Sequence, residues 1–350
     1  MGNKIPVGIL GATGTVGQRF IQLLEHHPWF EVAWMAASDR SAEKVYTDAC
    51  KWRLSTPLPA RIASMKVSPS VPDGAPKLIF AALDSAAASE LEPKFAAAGC
   101  AVVSNSSSFR MQEDVPLVIP EVNGDHIELL KAQKWYKQNG GFIVTNPNCS
   151  AIGLVMALAP LHRRFGVEKV FVATMQAVSG AGYPGVASLD ILGNVIPYIA
   201  GEEQKMEAES GKLLGTFNGN KIIPADLSVS AHCNRVPVED GHTESVSMKL
   251  RRSAQADEII AAWNEFRCIA QKLKLPSAPE QPVIYDPAPD RPQPRLDIHR
   301  GAGMSAVVGR LRPCNLFDWK FTVLSHNTIR GAAGAALLNG ELLKAQGYIT

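Results

Sequence analysis

The sequence of 350 residues lacks a basic run, and its charges nearly cancel, since 35 Lys and Arg face 33 Asp and Glu for a net charge of +2. Binding to nucleic acid or to an anionic membrane surface normally leaves a basic stretch, so we expect neither as a partner. No apolar run is long enough to span a bilayer, and no charged amino-terminal region precedes a long apolar segment. We therefore expect no membrane association and no secretory signal.

Cysteine is sparse and scattered, and no Cys-x-x-Cys pair occurs. The six cysteines are Cys50, Cys100, Cys149, Cys233, Cys268 and Cys314. Zinc sites and disulfide frameworks need closely spaced or regularly paired cysteines, so we expect neither a metal nor disulfides. Free, scattered cysteines are typical of a protein of the reducing cytoplasm. The chain also has no internal repeat and no low-complexity tail.

The composition that is present, 46% hydrophobic and 19% charged, is ordinary for a globular protein. The length favours two domains. In the first part we expect strands over 5–10, 31–37, 78–82, 101–104 and 142–144, and helices over 15–26, 86–98 and 150–161. Alternation of this kind predicts a parallel, doubly wound α/β sheet of the Rossmann type.

The second part of the chain has a different pattern of strand-like and helical segments. This pattern predicts a mixed α+β domain, with one sheet covered by helices on one face. Strand-like segments lie at 170–178, 222–227, 245–250, 307–311 and 320–325, and helical ones near 187–199, 203–214 and 255–273. The proline-rich segment 276–294 predicts an extended connector, neither helix nor central strand, because proline lacks an N–H donor. The segment 327–346 is small, apolar and helical, and we expect it to pack back onto the first domain.

A glycine-rich loop, Gly11-Ala-Thr-Gly-Thr-Val-Gly17, directly follows the first strand and opens the first helix. Glycines at a strand–helix turn let a dinucleotide pyrophosphate approach the backbone at the helix N-terminus. A glycine-rich turn alone is weak support, and a plain tight turn is the alternative, but the strand–turn–helix context strengthens the prediction. We expect the cofactor to contact Gly11, Thr13, Gly14, Thr15 and Val16.

The end of the second predicted strand bears on the choice of cofactor. It runs into Ser38-Asp39-Arg40-Ser41. Arg40 and the hydroxyls of Ser38 and Ser41 could hold a 2′-phosphate, which favours NADP. Asp39 could instead bind a ribose 2′-hydroxyl as in NAD-binding proteins, so use of both cofactors stays open.

Cys149 stands in Asn-Pro-Asn-Cys-Ser, between an apolar strand and a long helical pattern. A thiol at a helix N-terminus meets unpaired N–H groups and the positive end of the helix dipole, which favour the nucleophilic thiolate. The alternative is an inert buried cysteine that fills space. Position alone does not decide between the two.

Three further polar positions could complete a site around such a thiol. Arg235 and His242 flank a turn predicted by Pro237 and Asp240-Gly241, so that strand, turn and strand would bring both side chains to one end of a sheet. His242 could take the thiol proton, and a guanidinium can bind a carboxylate through two parallel hydrogen bonds. A solvated or capping histidine is the alternative. Gln176, before a glycine-rich loop, could orient a substrate or be a half-buried strand end.

Three charged residues remain as candidate binding groups. Glu202 and Lys205 are three apart on one helix face, which a surface ion pair would explain equally well. Arg110 follows Ser-Asn-Ser-Ser-Ser-Phe, a polar loop after a strand, which suits either an anion site or a simple surface loop.

Taken together, these motifs resemble those of the aspartate-semialdehyde dehydrogenase family, in its archaeal and fungal branch, over nearly the whole chain. The resemblance is carried by Gly11–Gly17, Ser-Asn-Ser-Ser-Ser-Phe-Arg110, Asn-Pro-Asn-Cys149-Ser, Gln176 with Ser-Gly-Ala-Gly-Tyr-Pro-Gly, Glu202-Glu-Gln-Lys205, Asn-Arg235-Val-Pro-Val-Glu-Asp-Gly-His242 and Asn327-Thr-Ile-Arg-Gly-Ala-Ala-Gly. It implies a Rossmann domain of residues 1–148 plus 327–350, and a central catalytic and dimerisation domain of residues 149–326.

The resemblance also implies a role for each candidate residue. Cys149 would be the nucleophile that forms an acyl intermediate, His242 the acid/base and Gln176 the group that positions the acyl carbon. Arg235 and Glu202 would bind the substrate carboxylate and amino group, and Lys205 and Arg110 its phosphate. Ser179, Gly180 and Asn327 would contact the cofactor, with Asn327 at the nicotinamide end.

The implied reaction is reductive dephosphorylation of L-4-aspartyl phosphate to L-aspartate 4-semialdehyde with NADPH, through a Cys149 thioester, on the route to lysine, threonine and methionine. We expect a homodimer or homotetramer. A related malonyl-CoA reductase is the nearest alternative, but it would need neither Glu202 for an amino group nor Lys205 for a phosphate. A non-catalytic NADP-sensing protein is a second alternative, which would leave Cys149 and His242 unexplained.

Overall fold

The computed structural model describes residues 4–349 and places a five-stranded parallel sheet in the first part of the chain. Its strands are β1 (Ile5–Leu10), β2 (Phe30–Ala36), β3 (Leu78–Ala81), β4 (Ala101–Ser104) and β5 (Phe142–Thr145), in the order β2-β1-β3-β4-β5. The predicted strands are confirmed to within one residue at each end. β3, β4 and β5 are buried along their whole length, as parallel strands covered on both faces should be.

Helices cover both faces of this sheet. They are α1 (Thr15–Leu24), α2 (Tyr46–Ala49), α3 (Ala60–Ala63), α4 (Ser85–Ala97), α5 (Pro120–Asn123) and α6 (Lys134–Asn139), with a 3₁₀ segment at Gly124–Ala132. The carboxyl ends of the five parallel strands meet at one edge, and the loops that leave them form one rim of the cavity described below. The predicted α/β class is confirmed.

The second part of the chain folds around a six-stranded mixed sheet. Its strands are β6 (Val167–Gln176), β9 (Ser228–Arg235), β10 (His242–Leu250), β11 (Val283–Asp286), β12 (Ala306–Pro313) and β13 (Trp319–Ser325), in the order β11-β12-β13-β10-β6-β9. A separate two-stranded ribbon consists of β7 (Thr216–Phe217) and β8 (Ile222–Ile223). Buried and more exposed residues alternate along β6, and the exposed ones include Phe171 and Met175, so helices cover one face only, as predicted.

The remaining helices are α7 (Cys149–Phe165), α8 (Ser188–Ile191), α9 (Glu202–Leu213), α10 (Ala256–Asn264), α11 (Ile269–Lys272), α12 (Pro294–Asp297) and α13 (Gly334–Ala345), with 3₁₀ turns at Val178–Ala181 and Arg300–Gly303. Helix α7 is buried continuously from Ser150 to Leu161 and packs on β6, β10, β12 and β13. It is the axis of the second core. No helix among residues 4–349 combines the length and apolar character needed to cross a membrane.

Three predicted elements of this part are wrong in extent. The strand over 222–227 is only Ile222–Ile223, since Pro224 cannot donate to a sheet ladder. The helix over 187–199 is only Ser188–Ile191, because the chain turns at Gly193, whose φ is +67°, and then reaches Pro197. The helix over 255–273 is broken in two, since Cys268 is extended and caps α11.

The proline-rich segment is extended, as predicted, but is not only a connector. It contributes β11, which pairs with β12 at the edge of the sheet, and then α12, which starts with Pro294 at a position where no N–H is needed.

The segment after β13 returns to the first domain, as predicted. A π-helical turn at Ile329–Ala333 leads into α13, which packs on α1, β3, β4 and α5. In the π-helical turn, Arg330 forms a bidentate ion pair with Glu121 on α5, and both side chains are fully buried. The segment after β13 is thereby tied to the first part of the chain, next to α7.

Candidate active site

A cavity of about 1050 Å³ lies between the carboxyl edge of the parallel sheet and the end of the mixed sheet. Thirteen of the predicted residues line it: Thr13, Gly14, Thr15, Val16, Arg40, Arg110, Cys149, Ser179, Gly180, Glu202, Lys205, Arg235 and Asn327. Residues that are far apart in the sequence therefore meet in one cavity, with the glycine loop at one end and the charged groups at the other.

Five predicted residues do not line the cavity: Gly11, Ser38, Ser41, Gln176 and His242. Gly11 supports the turn instead: its φ is +86°, and a Cβ there would lie 2.4 Å from the backbone oxygen of Ala82. Ser38 and Ser41 form a tight turn in which the amide of Ser41 donates to the oxygen of Ser38. Of the three residues predicted to hold a 2′-phosphate, only Arg40 faces the cavity.

The glycine loop fits a dinucleotide. A Cβ on Gly17 would lie 2.3 Å from the oxygen of Gly11, so only glycine permits this close turn. Helix α1 begins after Gly14, and no side chain caps it. Its first N–H groups therefore point to the place where a pyrophosphate would lie.

Cys149 is the first residue of α7, as predicted. The side chain of Asn148 caps the helix, with Oδ1 accepting from the amides of Ser150 at 2.9 Å and Ala151 at 3.1 Å. The sulfur of Cys149 lies 3.2 Å from Nε2 of His242, which is buried directly behind it. The thiol and the imidazole therefore lie within contact distance of each other.

The hydrogen bonding of His242 fixes its protonation pattern. Nδ1 accepts from the backbone amide of Ala177 at 3.1 Å, so the neutral ring carries its proton on Nε2, facing the sulfur. Burial, with smaller contributions from Arg235 and His326, lowers the pKa of His242 to about 3. The ring is therefore neutral at neutral pH and donates toward Cys149. The Nε2–H thus faces the sulfur, and the role of His242 as acid or base stays a prediction.

The pKa of the Cys149 thiol is also different from the expectation. Burial, and then the carboxylate of Glu202, raise it above its usual range, while Arg110 and Arg235 act in the opposite direction. The helix N-terminus favours the thiolate, whereas burial favours the neutral thiol and is the larger of the two effects.

Arg235, Gln176 and His242 lie side by side at the end of the mixed sheet. Gln176 at the end of β6 pairs with Arg235 on β9, and β10 begins with His242 on the other side of β6. The predicted strand, turn and strand bring Arg235 and His242 to one end of the sheet, but β6 lies between the two strands, so that residues 236–241 cross its end. Gln176 is buried, and its Nε2 donates to the hydroxyl of Thr174 at 3.3 Å.

Two anchoring contacts fix the groups on either side of this row. Arg235 donates through Nη1 to the oxygen of Ala177 at 2.7 Å, which leaves the rest of its guanidinium toward the cavity. Glu202 is buried at the start of α9, where Oε1 accepts from Nδ2 of Asn148 at 2.8 Å and Oε2 lies 3.6 Å from Nζ of Lys205. A cation for a carboxylate and an anion for an ammonium thus flank Cys149.

Arg110 reaches the cavity from the loop after β4, but it is already paired. Its Nη1 donates to Oε1 of Glu209 at 2.9 Å, and its Nη2 to the oxygen of Asn105 at 2.8 Å. Sequence reasoning missed Glu209. The available signal was its spacing from Glu202 and Lys205, which puts all three on one face of α9.

Two glycines lie directly against Cys149, Arg235 and His242, and only one of them was predicted as a site residue. A Cβ on Gly331, in the π-helical turn, would lie 2.7 Å from the Cβ of Cys149. A Cβ on Gly180 would lie 2.9 Å from Nη1 of Arg235 and 3.1 Å from Cε1 of His242. Gly331 lies within the Asn327-Thr-Ile-Arg-Gly-Ala-Ala-Gly motif, but the motif does not indicate its contact with Cys149, because that contact is made between segments far apart in the chain.

Asn327 forms the wall next to the Ser179 loop. Its Nδ2 donates to the hydroxyl of Ser179 at 2.8 Å, and its Oδ1 accepts from the amide of Gly241 at 2.8 Å. The Ser179 hydroxyl in turn donates to Asp240 at 2.7 Å. Within residues 4–349, no group of three or more His, Cys, Asp or Glu side chains is arranged to hold a metal ion.

Two family models match the chain: a semialdehyde dehydrogenase NAD-binding domain over residues 6–130 and a semialdehyde dehydrogenase dimerisation domain over residues 158–330. An aspartate-semialdehyde dehydrogenase of Archaeoglobus fulgidus is 52% identical over 97% of this chain and 98% of the relative. The enzyme of that name from Saccharomyces cerevisiae is 43% identical over 100% of both chains.

Solved structures agree with these relatives. The structure of aspartate semialdehyde dehydrogenase with NADP from Candida albicans superposes with a TM-score of 0.92, at 44% identity, over 99% of this chain and 100% of that chain. Aspartate semialdehyde dehydrogenase II of Vibrio cholerae, complexed with ASA, gives a TM-score of 0.77 at 25% identity, over 99% of this chain and 100% of that chain. From the site geometry and these likenesses together, the chain belongs to the aspartate-semialdehyde dehydrogenase family.

Proposed function

We infer that the protein converts L-4-aspartyl phosphate to L-aspartate 4-semialdehyde with NADPH, a step toward lysine, threonine and methionine. The observation that carries this proposal is a thiol 3.2 Å from an imidazole N–H in a cavity that also receives a dinucleotide loop. A cation and an anion stand on either side of that thiol, as a substrate with a carboxylate and an ammonium requires.

The substrate groups find partners at opposite sides of Cys149. The guanidinium of Arg235 binds the α-carboxylate, and the carboxylate of Glu202 binds the amino group. Lys205, half-exposed at the cavity wall, and Arg110 bind the phosphate. Gln176, buried beside His242, holds the acyl group in place.

The cofactor lies along the glycine loop. Thr13, Gly14, Thr15 and Val16 line the cavity at the start of α1 and hold the pyrophosphate, and Arg40 holds the 2′-phosphate of NADP. Ser179, Gly180 and Asn327 contact the nicotinamide end. When bound, NADPH supplies the hydride that reduces the thioester carbonyl carbon.

Cys149 carries the covalent chemistry. Its sulfur bonds to the acyl carbon, the bond from that carbon to the phosphate oxygen breaks, and phosphate leaves with the electron pair. The thiol proton leaves with the phosphate, because neutral His242 already holds a proton on Nε2. After reduction the carbon–sulfur bond breaks and the electron pair goes to the sulfur; the Nε2–H of His242 stabilises the resulting thiolate by a hydrogen bond, and the thiolate takes its proton from solvent.

The domain division and the assembly complete the proposal. Residues 1–148 with 327–350 form the nucleotide-binding unit, and residues 149–326 the catalytic and dimerisation unit; of these, residues 1–3 and 350 lie outside the described part of the chain. The packing of α13 against β3 and β4 supports this division. The match to a dimerisation domain and the exposed apolar residues of β6 support a homodimer or homotetramer.

The test is the reverse assay with L-aspartate 4-semialdehyde, inorganic phosphate and NADP⁺, followed by absorbance of the reduced cofactor. We expect turnover that requires phosphate. A parallel assay uses malonyl-CoA and NADPH, and activity only there would overturn the roles of Glu202, Lys205 and Arg235. Binding of NADP without turnover in either assay, and without selective alkylation of Cys149, would favour a sensor.

A further inference from the structure

The inner face of α9 carries four charged side chains in one stripe, at Glu202, Lys205, Glu209 and Lys212, with spacings of three, four and three residues. The first two line the cavity. The last two do not line it, and both are buried. Buried charges are costly unless they are fully paired, so the partners of Glu209 and Lys212 indicate what these residues are for.

Glu209 binds two different elements with its two oxygens. Oε1 accepts from Nη1 of Arg110 at 2.9 Å, and Oε2 accepts from the backbone amide of Asn148 at 2.6 Å. Arg110 comes from the loop after β4, and Asn148 immediately precedes Cys149. One carboxylate therefore ties the arginine of the proposed phosphate site to the turn that presents the nucleophile.

Lys212, one turn further along α9, fixes the backbone of the same loop. Its Nζ donates to the oxygens of Arg110 at 2.7 Å, Gln112 at 2.8 Å and Val115 at 2.8 Å, so all three of its protons are used. Helix α9 thus holds Arg110 by both its main chain and its guanidinium.

We propose that Glu209 is a positioning residue, which acts through Arg110 and Asn148 to set the phosphate-binding guanidinium at a fixed place relative to Cys149. The inference rests on the proposed function, since it concerns the phosphate of that reaction. If Glu209 acted only through its charge, Glu209→Gln would change the affinity for phosphate in one direction. If it acts by positioning, the same substitution changes that affinity in the opposite direction. Removal of a negative charge next to Arg110 would strengthen phosphate binding, whereas release of Arg110 or Asn148 weakens it.

We expect Glu209→Gln to release either Arg110 or Asn148, because a glutamine amide cannot accept hydrogen bonds from both partners. Its oxygen can accept from one donor, but its NH₂ group then faces the other donor. Glu209→Asp keeps the charge and is too short to reach both partners, so it provides a second variant should the first fail to fold. Glu207→Gln, an exposed position on the same helix, is the matched control.

The experiment is the reverse assay with inorganic phosphate varied at saturating semialdehyde and NADP⁺. We expect Glu209→Gln and Glu209→Asp to raise the KM for phosphate at least fivefold, with the KM for semialdehyde and the Kd for NADP⁺ within twofold of wild type. In an Arg110→Gln background, Glu209→Gln should add less than twofold. A lowered or unchanged KM for phosphate in folded Glu209 variants would overturn the inference. So would a double variant in which the effects of Glu209→Gln and Arg110→Gln on this KM multiply as if they were independent.

A wild-type protein that does not turn over would refute the proposed function, not the role of Glu209. The role is then measured by alkylation of Cys149 with iodoacetamide at one pH, quantified by peptide mass spectrometry. Positioning predicts at least fivefold slower alkylation in Glu209→Gln, and a charge effect on the thiol predicts faster alkylation. An unchanged or increased rate overturns the inference.

Discussion

The wall around Cys149 is made partly by residues with no side chain. Gly331 faces Cys149, and Gly180 faces both His242 and Arg235, in each case so closely that a methyl group would overlap the neighbour. Displacements of about 1 Å at a reacting centre can cost about two orders of magnitude in rate. Glycine is needed here for proximity and not for backbone freedom, since neither residue has a positive φ.

Gly331→Ala should therefore reduce kcat/KM about 100-fold, because the new methyl group pushes Cys149 away from His242. Steady-state kinetics and alkylation of Cys149 measure the effect. Gly211→Ala is the control, since a Cβ there meets nothing closer than 3.8 Å and favours the helix. A Gly331→Ala enzyme with normal kcat/KM would show that the wall yields without moving the sulfur.

Cys149→Ser tests the covalent step itself. A hydroxyl is a far weaker nucleophile than a thiolate, so kcat should fall by at least about 10³-fold while binding of NADP is retained. Turnover is followed in the reverse assay, and cofactor binding by fluorescence titration. Retention of near-wild-type kcat would falsify the role of Cys149.

Most residues of the site could be named from the sequence, but their partners could not. Cys149, His242 and Arg235 stand in short motifs whose chemistry is local. Glu209 and Gly331 matter only through contacts across the fold, to Arg110 and Cys149, and no local pattern encodes such contacts. The tautomer of His242 likewise depends on an amide from another strand end.

At the scale of elements, α4 carries a carboxyl group with no charged partner in direct contact. Glu92 is fully buried, accepts from the hydroxyl of Ser104 at 2.7 Å through Oε1, and has no partner at Oε2. Burial raises the pKa of Glu92 to about 7, with Ser104 and Arg110 acting in the opposite direction. The folded protein therefore holds a proton on Glu92 in a range where the unfolded chain has released it.

The sign of the resulting pH dependence follows from proton linkage. Between the ordinary glutamate pKa and about 7, the folded state binds more protons at Glu92, so its contribution to stability is present at low pH and is lost as the pH rises. Glu92→Gln removes this loss. Between pH 5 and pH 8, its free energy of unfolding should therefore rise by about 1–3 kcal/mol relative to that of the wild type. Urea unfolding at both pH values measures it, with Glu90→Gln on the exposed face as control. Parallel pH dependences for wild type and Glu92→Gln would contradict the assignment.

Element boundaries were predictable where burial and periodicity agree, as for the five parallel strands. They were not predictable where a single turn interrupts a helical pattern. The segment 187–199 looks helical by composition, but Gly193 turns the chain and Pro197 cannot continue the ladder. The pairing of β9 beside β6, and not beside β10, is set by the whole sheet and leaves no mark in the sequence near Arg235.

At the scale of the whole molecule, a fully buried ion pair ties the returning carboxyl-terminal segment to the first part of the chain. Arg330 on the π-helical turn and Glu121 on α5 form two hydrogen bonds of 2.8 and 2.7 Å, and Arg330 also contacts the sulfur of Met156 on α7 at 3.1 Å. The pair lies one residue from Gly331. Stability and site geometry therefore depend on the same junction.

Glu121→Gln should destabilise the protein by about 3–5 kcal/mol, since it leaves the Arg330 guanidinium buried without its counter-charge. The double variant Glu121→Gln/Arg330→Met should lose less than the single one, because the unpaired charge is gone. Thermal and urea unfolding compare the two. A double variant less stable than the single variant would mean that packing, not charge, dominates at this junction.

The contact between Gly331 and Cys149 also has a consequence during synthesis on the ribosome. Cys149 and its helix emerge long before the segment 327–345 that closes the nucleotide-binding unit and forms the wall beside the sulfur. Until that segment has been translated and has folded back, the thiol has neither its wall nor its complete cofactor site. Catalytic competence is thus acquired late, after the carboxyl-terminal segment has been made and has folded back.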